Sequence, residues 1–345
     1  MDTRSEGEPR CASSLTEWVF LLSKKVKSSV EWFLGWLQGG FRRQARVRKA
    51  SLCVSGFRPL CAPPYRLGVE MISIFDFLWL GRERWVIYQN LLMRIFVWAL
   101  GPLGVHARIR NAHVIRIIKT LSLPSKMRIM DAGCGQAYAC FWLARHYPNW
   151  EIWGIDVDSK VIDHNQKIAF ALGMKNLYFR EGDITNLGDD LLFDLIFSID
   201  VLEHLENDIE VLSRWRRIIH PVGWLVLHLP LRHQMQKRIF SAFKKHIVRD
   251  HVRDEYTEEE IRAKLSQAGF VVLSISYGFS IWGEMAFELN NLFWWKPWLR
   301  ILLALLTFPV VILMGYIDSR VSWKQGNSLI VLAKPLITIK PDRGN

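Results

Sequence analysis

The sequence predicts an α/β protein whose core is a doubly wound, Rossmann-like and mostly parallel sheet of seven strands. From residue 127 onward, short apolar runs alternate with amphipathic stretches of helical length, and strands that alternate with helices are typical of such sheets. Half of the 345 residues are apolar and only 23% are charged. This composition supplies a large core and excludes a mostly disordered chain.

Two segments precede the alternating region. Residues 1–70 are predicted to form a basic, partly amphipathic extension, because apolar side chains recur at helical spacing from Leu15 to Leu37 with lysines between them. A basic amphipathic helix is typical of an interfacial or partner-binding segment. Residues 71–126 are predicted to be a helical and unusually apolar segment.

The strands and helices of residues 127–335 are predicted to form one domain. Strands are expected at MRIMD (127–131), EIWGID (151–156), NLYFREGD (176–183), FDLIFSID (193–200), WLVLHLP (224–230), FVVLSISYG (270–278) and SLIVLAKP (328–335). Helices are expected at 138–146, at 159–172 before Gly173, at 208–219, and from a Thr257 to Glu260 capping box to Gly269. Residues 336–345 are predicted to be a tail.

The net charge of +12 is unevenly distributed along the chain. Residues 127–228 contain nine basic and fifteen acidic side chains, a net charge of −6, which leaves +18 for the rest. Basic residues cluster at 41–50 and 231–249. Because a nucleic-acid-binding domain usually has its positive charge on the fold itself, this pattern argues against nucleic acid as a partner. Each basic cluster can also be a solvated surface.

The five cysteines are few, odd in number and lack a CxxC or Cys/His ligand spacing. This pattern predicts neither a disulfide scaffold nor a metal site, and it indicates a reducing, cytoplasmic setting.

A glycine-rich turn, DAGCGQA (131–137), follows the first predicted strand. Glycines at such a turn let a ligand approach the backbone, and the following helix N-terminus adds polar N–H groups. A dinucleotide site would need a third glycine at position 138, where this chain has tyrosine. The acid Asp131 before the glycines suits a cationic ligand better than a pyrophosphate.

This turn resembles the D-x-G-C-G-x-G signature of the class I S-adenosylmethionine-dependent methyltransferases, in particular their small-molecule, type 11-like branch. The resemblance covers residues 127–277 and includes five motifs in the same order. It implies S-adenosylmethionine as the cofactor. Its methionine end would lie against Asp131, Gly133, Cys134 and Gly135. The last glycine of the signature is Ala137 here.

Further cofactor contacts are implied at the ends of the next strands. Asp156 would bind both ribose hydroxyls, and Val157 would flank the adenine. Asp183 and Ile184 would contact the adenine edge. Asp200 ends the fourth strand, at the edge where a parallel sheet places its active site.

Methyl transfer is a displacement at a sulfonium methyl, so alignment of the acceptor and exclusion of water do most of the work. A base is needed only if the acceptor must lose a proton. The candidates are His204 after the fourth strand, His228 in the fifth, and His251, which lies close to Arg253 and Tyr256 in the sequence. Each can also be an ordinary structural histidine.

The residues after the fourth strand bear on the acceptor. Enzymes of this superfamily that methylate nucleic-acid bases usually carry Asn/Asp-Pro-Pro-Tyr/Phe or Pro-Cys there, whereas this chain has DVLEH (200–204). A small-molecule acceptor is therefore expected.

Residues 279–328 form an apolar, Trp-rich insertion before the last strand. Its charge-free stretch, 301–317, is borderline for a bilayer core of about 30 Å. A single crossing would leave the last strand on the wrong side of the membrane. We therefore expect a helical hairpin broken near Pro309, an interfacial helix or a lid, with a buried core helix as the alternative.

These segments together predict a peripheral methyltransferase on the cytoplasmic face of an anionic membrane, acting on a small, lipophilic or lipid-linked acceptor. Two other hypotheses remain: an RNA methyltransferase that uses the basic flanks, and a non-catalytic assembly factor with a methyltransferase fold.

Overall fold

The computed structural model describes residues 72–188, 191–231, 256–291 and 297–336. For residues 297–304 it describes the backbone alone. The chain divides into two compact units, Met1–Ala62 and Pro63–Asn345, and every described residue belongs to the second. The predictions for residues 1–70, for residues 337–345 of the tail and for His251 lie outside the described residues.

A seven-stranded sheet with strand order β3-β2-β1-β4-β5-β7-β6 forms the centre of this unit. Its strands are β1 (Arg128–Ala132), β2 (Glu151–Asp156), β3 (Leu177–Glu181), β4 (Phe193–Ile199), β5 (Ile219–Pro230), β6 (Phe270–Gly278) and β7 (Ser328–Pro335). The first five strands run parallel, and β7 lies antiparallel between β5 and β6. The sheet is therefore mixed, with the parallel majority that the alternating pattern predicts.

Nine α-helices are described along the same residues. They are α1 (Ile74–Trp79), α2 (Leu91–Leu100), α3 (Val105–Thr120), α4 (Tyr138–His146), α5 (Ser159–Ala171), α6 (Asp208–Ile218), α7 (Glu258–Gln267), α8 (Ile281–Asn290) and α9 (Pro297–Arg320). Two short 3₁₀ helices, Arg82–Ile87 and Leu202–His204, complete the described helical segments. The capping box predicted at Thr257 is present at the start of α7.

The fifth strand is longer than the sequence predicts. It starts at Ile219, five residues before the expected start at Trp224, because Ile219 pairs with Phe193 of β4. A register shift then brings Trp224 opposite Leu195. Residues 219–223, which precede the expected strand, therefore belong to β5.

Helix α3 packs on the sheet next to the candidate site. Ten of its sixteen residues are buried, and it packs against α4, β5 and α9. Its close approach to β6 depends on Gly278, where a Cβ would stand 2.3 Å from Cε1 of His113. The segment predicted as residues 71–126 therefore packs directly on the sheet.

The insertion before β7 forms α8 and α9, which pack against each other and against α3. Pro309 lies inside α9, which is continuous from Pro297 to Arg320. The expected hairpin broken near Pro309 is therefore wrong, because packing against the neighbouring helices supports the helix through the missing backbone hydrogen bond. One face of α9, including Val311 and Ile312, is buried, while Leu306 and Leu313 are exposed.

Candidate cofactor and acceptor site

The loop after β1 turns sharply because three residues at alternate positions adopt left-handed backbone angles. Gly133, Gly135 and Ala137 have φ values of 78°, 46° and 57°, a region that glycine adopts without steric cost. A Cβ at Gly133 would lie 2.5 Å from Val201, whereas a Cβ at Gly135 would meet nothing within 4 Å. The loop is thus packed on one side and open on the other, where a ligand can reach the backbone.

Asp156 at the end of β2 is tied to this loop. Its Oδ2 accepts a hydrogen bond from the Gly135 N–H at 2.8 Å, and its Oδ1 accepts from the Asp158 N–H at 3.0 Å. Val157 beside it is 66% exposed. This arrangement places a carboxylate and an exposed apolar side chain next to the glycine loop, as a nucleoside-binding site requires.

Asp131 lies beneath the loop and is 3% exposed. Burial raises its pKa to about 7, the charge of Asp156 adds to the increase, and a hydrogen bond from the Cys140 thiol at 3.1 Å opposes it. Burial also raises the thiol pKa values of Cys134 and Cys140 well above the ordinary range. Both thiols are therefore unreactive packing groups, while Asp131 can hold a cation.

A cavity of about 190 Å³ opens between the glycine loop and α3. It is lined by Ala107, Arg110, Asn111, Asp131, Gly133, Cys134, Gly135, Gln136, Ala137, Tyr138 and Ile199. The Asn111 side chain accepts a hydrogen bond from the Ala139 N–H at 2.9 Å, which joins α3 to the first turn of α4. The cavity therefore presents a carboxyl, a guanidinium and a glycine backbone, a donor set that fits the zwitterionic amino-acid end of S-adenosylmethionine.

The two residues predicted at the adenine edge have different surroundings. Asp183 is exposed, and its Oδ1 accepts from the Thr185 N–H at 2.8 Å. Ile184 is 4% exposed, and its carbonyl accepts from the Trp215 indole at 3.2 Å. The Asp183 carboxylate is thus accessible to a ligand, whereas the Ile184 side chain belongs to the core.

Asp200, directly after β4, has a left-handed φ of 51°. Its Oδ1 lies 2.5 Å from Nδ1 of His228 on β5, and its Oδ2 accepts a hydrogen bond from the Arg110 guanidinium. Burial alone would raise the pKa of Asp200, but the neighbouring His228 and Arg110 hold it well below the usual range. Left-handed non-glycine residues often mark functional sites, and here the backbone angle places a carboxylate between two cation-forming groups.

The contact with Asp200 defines the tautomer of His228. A carboxylate can only accept a hydrogen bond, so Nδ1 of neutral His228 carries the proton and Nε2 has the free lone pair. Among the described residues, Nε2 has no hydrogen-bond partner and is buried. The pair therefore has the arrangement of an oriented base.

A second polar layer lies behind His228. The ring of His113 on α3 stacks on the His228 ring with centroids 5.7 Å apart and an interplanar angle of 15°. Nε2 of His113 lies 3.2 Å from Oδ2 of Asp318, but the contact is not aligned as a hydrogen bond. Burial lowers the pKa of His113, although Asp318 opposes this effect. We therefore interpret His113 as a neutral ring that packs behind His228.

His204 is not part of this arrangement. His204 ends a 3₁₀ helix and is exposed, and His251 lies outside the described residues. Within the described part of the chain, no group of three His, Cys, Asp or Glu side chains is arranged to hold a metal ion.

Sequence reasoning identifies the residues at the strand ends but misses the contributions of α3. The structure brings Asp131, Gly135, Asp156 and Asp200 together at the carboxyl edge of the sheet. It adds Arg110, Asn111 and His113, which come from a helix that precedes the first motif. The only sequence signal for them is the pattern of polar residues inside an otherwise apolar helix.

Comparison with known families and proteins gives consistent matches. Residues 123–276 match the family described as a methyltransferase domain. The chain is 26% identical over 124 residues to a trans-aconitate 2-methyltransferase from Pseudomonas paraeruginosa, covering 36% of this chain and 43% of that protein. It is 27% identical over 100 residues to a ubiquinone biosynthesis O-methyltransferase from Paracidovorax citrulli, covering 28% and 41%.

The matching part of this chain thus covers less than half the length of these curated relatives. A solved S-adenosylmethionine-dependent methyltransferase from Clostridium acetobutylicum aligns with 67% of this chain and 92% of that chain, at 13% identity and a TM-score of 0.45.

Proposed function

Because residues 123–276 form a class I S-adenosylmethionine-dependent methyltransferase domain, with S-adenosylmethionine as its cofactor, we propose that this protein methylates a small acceptor. The observation that carries the proposal is the arrangement at the carboxyl edge of the sheet. There the glycine loop lies open beside Asp131 and Asp156. An ammonium group suits the buried carboxyl of Asp131, and ribose hydroxyls suit the carboxylate of Asp156.

The chain's own residues supply binding, orientation and proton acceptance. The bound cofactor supplies an activated methyl group. Arg110 contributes a guanidinium to the cavity wall, and Ala107 and Asn111 of α3 line the same cavity. Asp200 orients His228, whose Nε2 is the proton acceptor for a protic acceptor group. Asp200 therefore acts as a positioning residue for His228.

Calorimetric titration with S-adenosylhomocysteine tests the cofactor site. We expect binding by the wild-type protein and a loss of at least about tenfold in affinity for Asp156→Ala, because the ribose would lose its acceptor. The control is Asp163→Ala on the exposed face of α5, which should bind like the wild type. An absence of binding heat at several temperatures would favour the non-catalytic assembly factor.

The acceptor is proposed to be lipophilic or lipid-linked and to be reached from the cytoplasmic face of a membrane. Three features support this proposal: the basic residues outside 127–228, the exposed apolar side chains of α2, and those of α9. A basic and apolar surface favours anionic membranes.

Transfer of labelled methyl to a fractionated extract of the source cells tests the acceptor class. Label in the organic-soluble fraction is the expected result. Label confined to RNA, with salt-sensitive RNA binding, would instead support the RNA methyltransferase hypothesis. Label confined to water-soluble metabolites would retain methyl transfer and contradict the lipophilic acceptor.

A further inference from the structure

Helix α2 exposes an unusual amount of apolar surface. Leu91, Leu92, Met93, Ile95 and Trp98 are between 41% and 77% exposed, and Val97 is the one buried residue of this ten-residue helix. Its only charged side chain is Arg94. Isolated exposed apolar residues are ordinary, but a contiguous group of this kind marks an interaction surface.

The exposed surface continues onto α1. Phe75 is 61% exposed and Ile74 is 38% exposed. The two helices are joined where the Trp79 indole donates a hydrogen bond to the Ala99 carbonyl at 3.1 Å. We call the seven exposed side chains of both helices, Ile74, Phe75, Leu91, Leu92, Met93, Ile95 and Trp98, the α1–α2 face.

Arginines and tryptophans lie beside this face. The Arg82 guanidinium lies over the Trp79 ring at 4.6 Å, and the Arg94 guanidinium lies over the Trp85 ring at 5.0 Å. Residues 72–100, which include both helices of the face, contain three basic side chains, Arg82, Arg84 and Arg94, and two acidic ones. Both acids have basic partners: buried Glu83 forms an ion pair with Arg145, and Oδ1 of Asp76 lies 3.3 Å from Nε2 of His146. The charge around the face is therefore positive.

The face is too short and too firmly attached to cross a bilayer. Among the described residues, Leu91–Thr120 has the length and hydropathy of a membrane span. It is nevertheless two helices separated at Gly101–Gly104, and ten residues of α3 are buried in the domain. Helix α2 alone would extend about 15 Å, half of a bilayer core of about 30 Å. Helix α2 can instead contact a bilayer by lying parallel to its surface.

We propose that the α1–α2 face docks on the surface of an anionic lipid bilayer, with α2 lying at the boundary between headgroups and acyl chains. Acyl chains accept the leucines, isoleucine and methionine, and tryptophan with arginine suits the headgroup level. Anionic headgroups complement Arg82 and Arg94. This inference rests on the proposed membrane location and identifies the surface responsible for it.

The face is directly connected to the candidate site. The carbonyl of Leu100 at the end of α2 accepts a hydrogen bond from the Arg108 guanidinium at 2.7 Å. Arg108 is buried in α3, two residues before the cavity-lining Arg110. A bilayer held against α2 would therefore lie next to an element that is hydrogen-bonded to the cavity-lining helix α3, which suits an acceptor taken from the lipid phase.

Vesicle flotation of the full chain tests the proposal. The vesicles are phosphatidylcholine alone and phosphatidylcholine with phosphatidylglycerol. We expect the wild type to float with the anionic vesicles and the double variant Leu92→Glu with Trp98→Glu to partition at least about tenfold less. The matched control is Val222→Glu on β5, where the native side chain is 60% exposed. It should float like the wild type.

Hydrogen exchange provides a local measurement in the same samples. The amides of residues 91–100 should exchange more slowly when anionic vesicles are added. Flotation of the double variant at the wild-type level, or unchanged exchange in residues 91–100, would overturn the α1–α2 face as the docking surface. Light scattering that shows a wild-type dimer and a monomeric double variant, with equal flotation, would identify the face as a contact between copies.

The two proposals fail in different ways. If the wild type floats with neither vesicle, the docking surface and the membrane location both fall, whereas titration with S-adenosylhomocysteine and methyl transfer remain measurable. If flotation behaves as expected but no cofactor binds, the docking surface stands and the proposed enzyme activity falls. The titration also shows whether the double variant retains a folded cofactor site.

Discussion

The proposed contact between Asp131 and the cofactor predicts that cofactor binding depends on pH. The Asp131 carboxyl is buried, and its pKa is raised to about 7. Below that pH the group is protonated and cannot pair with an ammonium ion. We expect the affinity for S-adenosylhomocysteine to increase by about tenfold or more between roughly pH 5.5 and pH 7.5, as measured by calorimetry.

The variant Asp131→Asn should bind more weakly and lose most of this pH dependence, because an amide does not ionise in this range. Asp163→Asn, which removes an exposed carboxylate paired with Lys167, is the control and should retain it. An unchanged pH dependence in Asp131→Asn would show that another group controls binding.

His228 is the residue on which proton acceptance is expected to depend. Replacing it with Asn removes the basic Nε2, so methyl transfer into the labelled extract fraction should decrease by about 100-fold. The defect should be smaller at high pH, where a protic acceptor loses its own proton. Affinity for S-adenosylhomocysteine should stay within about threefold of the wild type.

The matched control for this variant is His220→Asn at the exposed start of β5. It should leave transfer unchanged. A wild-type rate and pH profile in His228→Asn would mean that the acceptor needs no base at this position.

At the scale of elements, the attachment of α8 depends on one buried carboxylate. Asp318 of α9 accepts from the N–H groups of Phe279, Ser280 and Gly283 at 3.1, 2.8 and 3.2 Å. It thereby caps α8 and joins both insertion helices to the end of β6. Burial would raise the pKa of Asp318, but the neighbouring His113 and the hydrogen bonds from Ser280 lower it overall.

We expect Asp318→Asn to lower the free energy of unfolding by about 2 to 4 kcal/mol at pH 7, because an amide nitrogen would face backbone donors. Since the folded pKa is depressed, the stabilisation is present above the unfolded pKa near 3.8 and is lost as the pH falls below it. Denaturant unfolding should therefore show a smaller difference near pH 3.

Asp76→Asn provides the comparison for this prediction. Asp76 also caps a helix, through the Ser73 box of α1, but it is partly exposed. Its replacement should cost about 1 kcal/mol or less. Equal costs for the two variants would contradict a special role of the buried cap.

For the whole molecule, the separation of charge predicts two different salt responses. The excess positive charge lies outside residues 127–228, and the proposed attraction to anionic lipid depends on it. Increasing the salt from about 0.1 M to about 1 M shortens the screening length from about 10 Å to about 3 Å. We expect release from anionic vesicles, while the affinity for S-adenosylhomocysteine changes by less than about threefold, because the carboxyl of Asp131, its predicted ionic contact, is buried.

Parallel flotation and calorimetry at both salt concentrations measure the two responses. A large parallel loss of cofactor affinity would contradict this separation. Flotation that does not respond to salt would indicate that apolar contacts alone hold the protein on the vesicle.

The order of strands and helices in residues 127–335 was accessible from the sequence because it depends on local signals. The start of α4 after the glycine loop, the capping box at Thr257 and the stop at Gly173 are set by neighbouring residues in the chain. The same locality explains the errors. The early start of β5 depends on pairing with Phe193, and the continuity of α9 through Pro309 depends on packing.

The sequence by itself determined the fold class, the cofactor and the acids at the strand ends, because repeated local patterns and a motif are written in consecutive residues. Only the tertiary structure decided which groups meet. It pairs His228 with Asp200, adds Arg110 from α3, and leaves the α2 side chains exposed. These groups are separated along the chain. The pairing of β4 with β5 brings Asp200 to His228, and the packing of α3 on the sheet adds Arg110.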